Sequence, residues 1–296
     1  MYRLLFIAFL LLAGRVSSAQ VLYGTMTGIV SDASGAVVPG ATVKVSNAAI
    51  GQTRESVTVG NGGYTFSNLA PGFYSVEVSA AGFRSVRRDS VEVSINTVSR
   101  VNFDLQVGDL IDRINVEGSA AALQTDKADV HVELGTKEVT QLPVGGYRNY
   151  QTLINLVPGA TPAGYQNAVV GSPGRALSTN VNGTARNNNN TRLDGAYNMR
   201  AHLPHQTLYV PPIESIETVN ISTNSFDAEQ GFAGGAAINV VTKSGTNQFH
   251  GVFFEHFGNA ALNAKNFFYL EAKKPKYLWN TYGGTFGGPI RRNKLF

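Results

Sequence analysis

The stretch GTMTGIVSDASGAVVPGATVKVSN, Gly24 to Asn47, holds two runs of alternating apolar and polar residues around a turn-rich break ending at Pro39-Gly40. Period two places successive side chains on opposite faces of a pleated strand, so each run reads as a half-buried β-strand. The same grammar continues through GYTFSNL (63–69), FYSVEVSAAG (73–82) and SRVNFDLQ (99–106), with GNGG and APG between them. The dipeptides Asn61-Gly62 and Pro71-Gly72 supply the backbone angles that tight turns require. Alternation with turns every eight to twelve residues predicts a small antiparallel sandwich of roughly seven strands.

Composition agrees with a strand-rich chain. The 296 residues are 43% hydrophobic and 15% charged, with 32 glycines, which argues against disorder and for strands joined by polar loops. The net charge of +4 includes Arg3 and Arg15, and without them it is +2. That balance implies no nucleic-acid partner.

MYRLLFIAFLLLAGRVSSAQ opens the chain with Arg3, an apolar run from Leu4 to Ala13, and the small residues Ser17, Ser18 and Ala19. This is the layout of a secretory signal peptide over residues 1–19. No later segment approaches the length of a membrane-spanning helix. With no cysteine anywhere, disulfides and thiolate metal sites are excluded.

Residues 24–51 and 60–83 resemble the carboxypeptidase-regulatory-like domain, a transthyretin-like sandwich grouped with carbohydrate-binding-like folds. Gly28, Val30 and Asp32 match its opening G-x-V-x-D pattern. Gly62, Tyr64 and Phe66 meet its G-x-Y-x-F pattern, with Gly63 between the first two, and Leu69, Pro71, Gly72 and Tyr74 match L-x-P-G-x-Y. The resemblance implies a sandwich over residues 20–107 and no peptidase activity.

VGDLIDRINVEGSAAA (107–122) lacks a strong period and reads as a linker, residues 108–124, with an extended piece from Arg113 to Gly118. Beyond it, the sequence predicts a strand at Val130 to Leu134, a short helix near Thr136, and a second helix from about Tyr147 to Leu156. Val157-Pro158-Gly159 stops that helix. LSTNVNG (177–183) and NTRLDGAY (190–197) read as strands flanking four consecutive asparagines. Asparagine tolerates left-handed backbone angles and hydrogen-bonds its own backbone, so Asn187 to Asn190 predict an irregular polar loop. A helical turn leading into a strand follows in PPIESIETVNIST (211–223), with another strand in GGAAINVVTKSG (234–245).

LPVGGYRNYQTLINLVPG (142–159), NVNGTARNNNNTRLDGAYN (180–198), IESIETVNISTNSFDAEQGFAGGAAINVVTKSGTNQFHG (213–251) and GGTFGGPI (283–290) occur in the order found in TonB-dependent outer-membrane receptors. The resemblance is strongest to Oar-like members, which place the regulatory-like sandwich before the plug, and it covers essentially all of the mature chain. It implies a β-rich multidomain protein: the antiparallel sandwich, an α+β plug over residues 125–245, and the first strands of an outer-membrane β-barrel over residues 246–296. A closed barrel of about 22 strands, each of about 10 residues, needs several hundred more residues. The resemblance therefore implies an N-terminal fragment whose last fifty residues, lacking barrel neighbours, are expected to be poorly held.

The family's activity is ligand import through a plugged barrel, driven by energy relayed from the inner membrane by TonB. Its TonB-binding segment adds an extended strand to a sheet edge of the partner. Ile114, Asn115, Val116, Glu117 and Gly118 are the candidate here, with a plain linker strand as the alternative. The family's outward plug loops touch ligand, which makes Arg186, Asn187, Asn188, Asn189, Asn190 and Arg192 candidates. They alternatively hydrogen-bond a polar barrel wall. The implied location is the outer membrane, with the sandwich in the periplasm. The imported ligand is unknown: a siderophore, cobalamin, a glycan or a peptide.

No cofactor is implied. Pro204 between His202 and His205 disfavours a shared helical face for metal ligands, GFAGGA (231–236) lacks the surroundings of a dinucleotide site, and no G-x-S-x-G elbow exists. The chain is therefore expected not to be an enzyme. A free-standing periplasmic or surface binding protein, with glycans as candidate ligands, is the second functional class, and an accessory module of a secreted hydrolase the third.

Overall fold

The computed structural model describes residues 23–108, 113–116, 126, 128–142, 144, 148–162, 177–226 and 228–296. The expected leader, residues 1–19, lies outside them.

The first module contains β1 (Gly24–Asp32), β2 (Thr42–Asn47), β3 (Gln52–Val57), β4 (Gly63–Leu69), β5 (Gly72–Ser79), β6 (Ser85–Val93), β7 (Val98–Arg100), β8 (Phe103–Leu105) and β9 (Arg113–Val116). One sheet runs β4-β1-β7, with β8 also on β1, and the other runs β3-β2-β5-β6-β9. Met26, Val30, Val43, Val45, Tyr64, Phe66, Leu69, Tyr74, Val76 and Val78 fill the space between them, in the alternation the sequence shows. Each such side chain contributes about 1.5–3 kcal/mol by leaving water.

Two features depart from a plain antiparallel sandwich. The last expected strand is broken at Val101–Asn102, and both halves run parallel to β1. At the break, Val101 N–H donates to Thr27 O at 2.8 Å, while Ile29 N–H turns to the Asn102 side chain at 3.0 Å. The second departure is β9, which the sequence reads as an extended piece within a linker and which instead joins the sandwich, pairing in parallel with β6.

The motif residues have distinct tasks in this sandwich. Asp32 Oδ1 accepts from the Ser34 hydroxyl (2.6 Å) and from the N–H groups of Ser34 (2.8 Å) and Ala36 (3.0 Å), closing the turn after β1. Those hydrogen bonds, the Ser34 side chain's first, hold its carboxyl below the usual carboxylate range. Gly72 sits at φ +137, and two residues later the buried Tyr74 donates its hydroxyl to Ala70 O at 2.8 Å. The P-G-x-Y spacing thus folds the chain back on itself.

The second module begins with β10 (Val130–Leu134), α1 (Thr136–Gln141) and a 3-10 helix at Tyr150–Leu156. That helix begins three residues later than expected, and it is not α-helical. Asn149 caps it by accepting from Gln151 N–H at 2.9 Å, and Pro158 and Gly159 (φ +81) end it after two turns. The remaining strands are β11 (Ala160–Pro162), β12 (Thr179–Val181), β13 (Asn190–Leu193), β14 (Ala196–Tyr197), β15 (Met199–Arg200), β16 (Leu203–Thr207), β17 (Ile216–Asn224) and β18 (Ala237–Thr242). The main sheet has the order β10-β17-β18-β13-β14.

Register gives this sheet two unlike faces. Leu134 pairs with Val219, Val219 with Val240, and Val240 with Leu193, forming an apolar row. It packs on Val139, Tyr150, Leu153 and Ile154. One residue out of phase, Glu133 pairs with Asn220, Asn220 with Asn239, and Asn239 with Arg192. Asn220, Asn239, Ser222 and Asn190 are all buried. Within this face Asn190 Nδ2 donates to Gln230 O at 2.6 Å and Asn239 Nδ2 to Gln230 Oε1 at 3.0 Å, while Asn190 Oδ1 and Asn239 Oδ1 are buried without a hydrogen-bond partner, so the row is only partly satisfied.

The chain continues into a hairpin of β19 (His250–Asn259) and β20 (Leu278–Gly287), paired without a break from His250↔Gly287 to Asn259↔Leu278. Where the sequence reading expects a poorly held tail, the structure pairs ten residues of β19 with ten of β20 and links the hairpin to the second module through His256. Phe253 lies over Gly284 and Phe254 over Gly283, where a Cβ would come within 3 Å of each ring. Glycines there let the opposing ring lie on the backbone. Among the described residues, no helix is long and apolar enough to cross a membrane.

Candidate functional site

The polar run divides in the structure. After β12, Asn182 and Gly183 turn with positive φ, and Arg186–Asn188 form one 3-10 turn. Asn188 O accepts from the N–H groups of Gly234 (2.7 Å) and Gly235 (3.0 Å). Asn189 is buried: its Nδ2 donates to Thr179 O at 2.7 Å and its Oδ1 accepts from Ala236 N–H at 3.0 Å. Asn190 opens β13 and donates to Gln230 O at 2.6 Å. The irregular loop of the sequence reading therefore ends at Asn188. Asn189 and Asn190 are internal fasteners between β13 and residues 228–236, because two carboxamides can satisfy backbone groups that no strand reaches.

Arg186 is partly covered, while Asn187 and Asn188 are exposed. Nearby His205, on β16, is held below its ordinary range, first by burial and then by the Arg186 charge. Arg192 lies inside β13 opposite Asn239, and its Nε is buried without a hydrogen-bond partner. Of the six candidates, Arg186, Asn187 and Asn188 stand at the surface of one turn. Ile114, Asn115 and Val116 lie on β9, and Glu117 and Gly118 fall outside the described residues.

A cluster that sequence reasoning missed joins the second module to the hairpin. Glu214 Oε1 accepts from Arg148 Nε at 2.8 Å and stands 3.0 Å from His256 Nε2, and Glu214 O accepts from Lys243 Nζ at 2.8 Å. Arg148 also donates to Thr140 O at 3.2 Å. Arg148 and His256 are 66 and 42 residues from Glu214 in sequence, so no local pattern could reveal the cluster. The Glu214 side chain is only 12% exposed and Arg148 16%, so losing the charge leaves a covered guanidinium unpaired. Glu214→Gln is expected to lower stability by about 1–3 kcal/mol, read as a shift in the denaturant midpoint with an unchanged slope.

The hairpin's two faces differ sharply. His256 and Phe254 on β19 and Trp279 on β20 are partly covered. The other face shows Phe253 (95% exposed), Phe286 (81%) and Tyr282 (80%), with Phe257 and Leu278. Glu255 shares that outward face and is the one charge among these side chains. The covered face is mixed, with Phe254 and Trp279 beside His256, while the bare one has the apolar character that outer-membrane strands turn toward lipid.

The chain is 26% identical over 306 residues to the TonB-dependent transporter Oar of Myxococcus xanthus, an alignment covering 96% of this chain. The chain is thus similar to a TonB-dependent transporter along nearly its whole length. It spans 28% of the length of Oar. Residues 25–106 match the carboxypeptidase regulatory-like domain and residues 241–296 an outer membrane beta barrel domain. Among solved structures, the siderophore receptor PirA of Acinetobacter baumannii aligns with 19% identity and a TM-score of 0.40, over 55% of this chain and 22% of PirA. The ferric enterobactin receptor PfeA of Pseudomonas aeruginosa aligns with 15% identity and a TM-score of 0.34, over 44% of this chain and 20% of PfeA. The barrel-domain match and the similarity to Oar support an outer-membrane location. The chain's β-rich multidomain class, with a regulatory-like sandwich first and barrel strands last, matches the sequence reading.

Proposed function

We propose that this chain supplies the sandwich, plug and first barrel strands of a receptor that binds a ligand outside the cell and imports it through a plugged β-barrel, using energy relayed by TonB. The reading rests chiefly on one observation: the second module is tied through Glu214 to His256, on the hairpin face opposite the bare aromatics. A soluble protein has no reason to bare Phe253, Tyr282 and Phe286 on one strand pair while anchoring the opposite face to a polar module. A plug inside a barrel requires that arrangement. In this reading Arg186, Asn187 and Asn188 form the turn that meets ligand, which is a siderophore, a glycan or a peptide. Ile114 to Gly118 form the strand that engages TonB. The protein is not an enzyme.

Fractionation of cells, followed by immunoblotting with antibody raised against residues 20–245, tests this. The expected result is signal in the outer-membrane fraction that resists extraction by salt and carbonate and yields to detergent. A soluble periplasmic signal would instead leave a free-standing binding protein.

A further inference from the structure

The described chain gives the sandwich a role that its core does not explain. After β8 the chain folds back beside the start of β6: Arg84 N–H donates to Gln106 O at 2.8 Å, Phe83 bridges Val107, and Gly108 N–H donates to Gly82 O at 3.2 Å. It then returns as β9, parallel to β6, with Ser85↔Arg113, Val86↔Ile114, Arg87↔Asn115 and Arg88↔Val116 in register. β9 ends the sheet order β3-β2-β5-β6-β9, so among the described residues no strand pairs with its outer edge.

We infer that the sandwich is a template that holds the energy-coupling strand extended and presents its outer edge, so that a strand of the partner extends the sheet to β3-β2-β5-β6-β9-partner. This rests on the reading above that Ile114 to Val116 engage TonB, and it adds what holds them. An isolated four-residue segment must give up its backbone freedom when it pairs. One already fixed on β6 has lost that freedom before the partner arrives, so preorganisation favours association. An edge strand also carries a row of unpaired N–H and C=O groups, the feature that accepts an added strand. The partner is thus a protein with a free strand edge of its own, recognised through backbone groups more than through side chains.

Register supplies the test. The chain contains no cysteine, so Arg87→Cys with Asn115→Cys places the only two thiols at facing positions on β6 and β9. Parallel neighbours are about 4.8 Å apart, within reach of a short bis-maleimide. The detergent-solubilised chain, either bridged or capped on each thiol with N-ethylmaleimide, is titrated with the purified periplasmic domain of a TonB protein. The expected result is that the bridged form binds within about threefold of the capped form, or more tightly. Binding weakened tenfold or more by the bridge, with the capped form intact, would overturn the inference, because β9 would then have to leave β6 to engage. Ile114→Pro and Asn115→Pro, made singly without the bridge, check the underlying reading, since each removes one backbone N–H within β9. At least one is expected to weaken binding tenfold or more. If neither does, or if the unmodified chain does not bind, the assignment of this strand to TonB fails and the inference falls with it.

Discussion

Gly28→Ala is expected to unfold the sandwich while leaving the second module folded. A Cβ at position 28 would lie 1.8 Å from Val101 O, 2.7 Å from Val101 C and 2.8 Å from Tyr64 Cε1. Two of these are backbone atoms, so no rotamer change relieves the clash. Nor can the carbonyl swing away, because Tyr64 donates its buried hydroxyl to Val101 O at 2.6 Å and Val101 N–H is committed to Thr27 O. The break between β7 and β8 is what brings this carbonyl against β1, so position 28 demands glycine for a reason specific to the broken strand. Overpacking in a rigid core costs about 1–3 kcal/mol where side chains can yield, and more is expected where backbone meets backbone. A loss of about 3 kcal/mol or more is a large fraction of a small domain's stability and lowers its melting temperature by about 12 °C or more.

Hydrogen exchange followed by mass spectrometry on the full chain would resolve the two modules. Protection should fall across residues 24–105 and persist across 130–242. Gly60→Ala is the matched control, since nothing lies within 4 Å of a Cβ there, and it should change exchange little. Equal small effects at both positions would show that the β1–Val101 approach is looser than the geometry states.

The sandwich was legible because its signals are local. Alternation in GTMTGIVSD and FYSVEVS needs only neighbouring residues, and the burial of Met26, Val30, Tyr74, Val76 and Val78 follows it. What escaped the sequence depends on contacts distant along the chain. The split between β7 and β8 is set by Gly28 and Tyr64, far from Val101, and nothing in RINV says that it will lie against SVRR. The Glu214 cluster failed in the same way, its members Arg148, Glu214, Lys243 and His256 being scattered over more than a hundred residues. In the second module, burial of Asn220 and Asn239 hides behind the ordinary expectation that asparagine is exposed. Only the strand register reveals that they share one row.

The asparagine run shows how far composition can carry a reading, and substitution along it should separate the two halves. Asn189→Ala removes the acceptor of Ala236 N–H and the donor to Thr179 O together, leaving two buried backbone groups without partners. Each orphaned group costs about 1–3 kcal/mol, so a loss of about 3 kcal/mol is expected, concentrated where β12, β13 and residues 228–236 meet. Gly235 makes recovery harder. A Cβ there would lie 2.5 Å from Asn189 Oδ1, so the backbone is already as close as this carboxamide permits. Asn187→Ala touches an exposed side chain and should change stability by less than about 0.5 kcal/mol. Chemical denaturation of both variants, with exchange at Ala236 as the local readout, decides the matter. If the two substitutions were equally mild, the run would be one continuous surface loop and all four asparagines would return as candidates for ligand contact. If Asn189 alone is severe, only the turn at Arg186, Asn187 and Asn188 is free to meet a ligand, and binding studies should begin there.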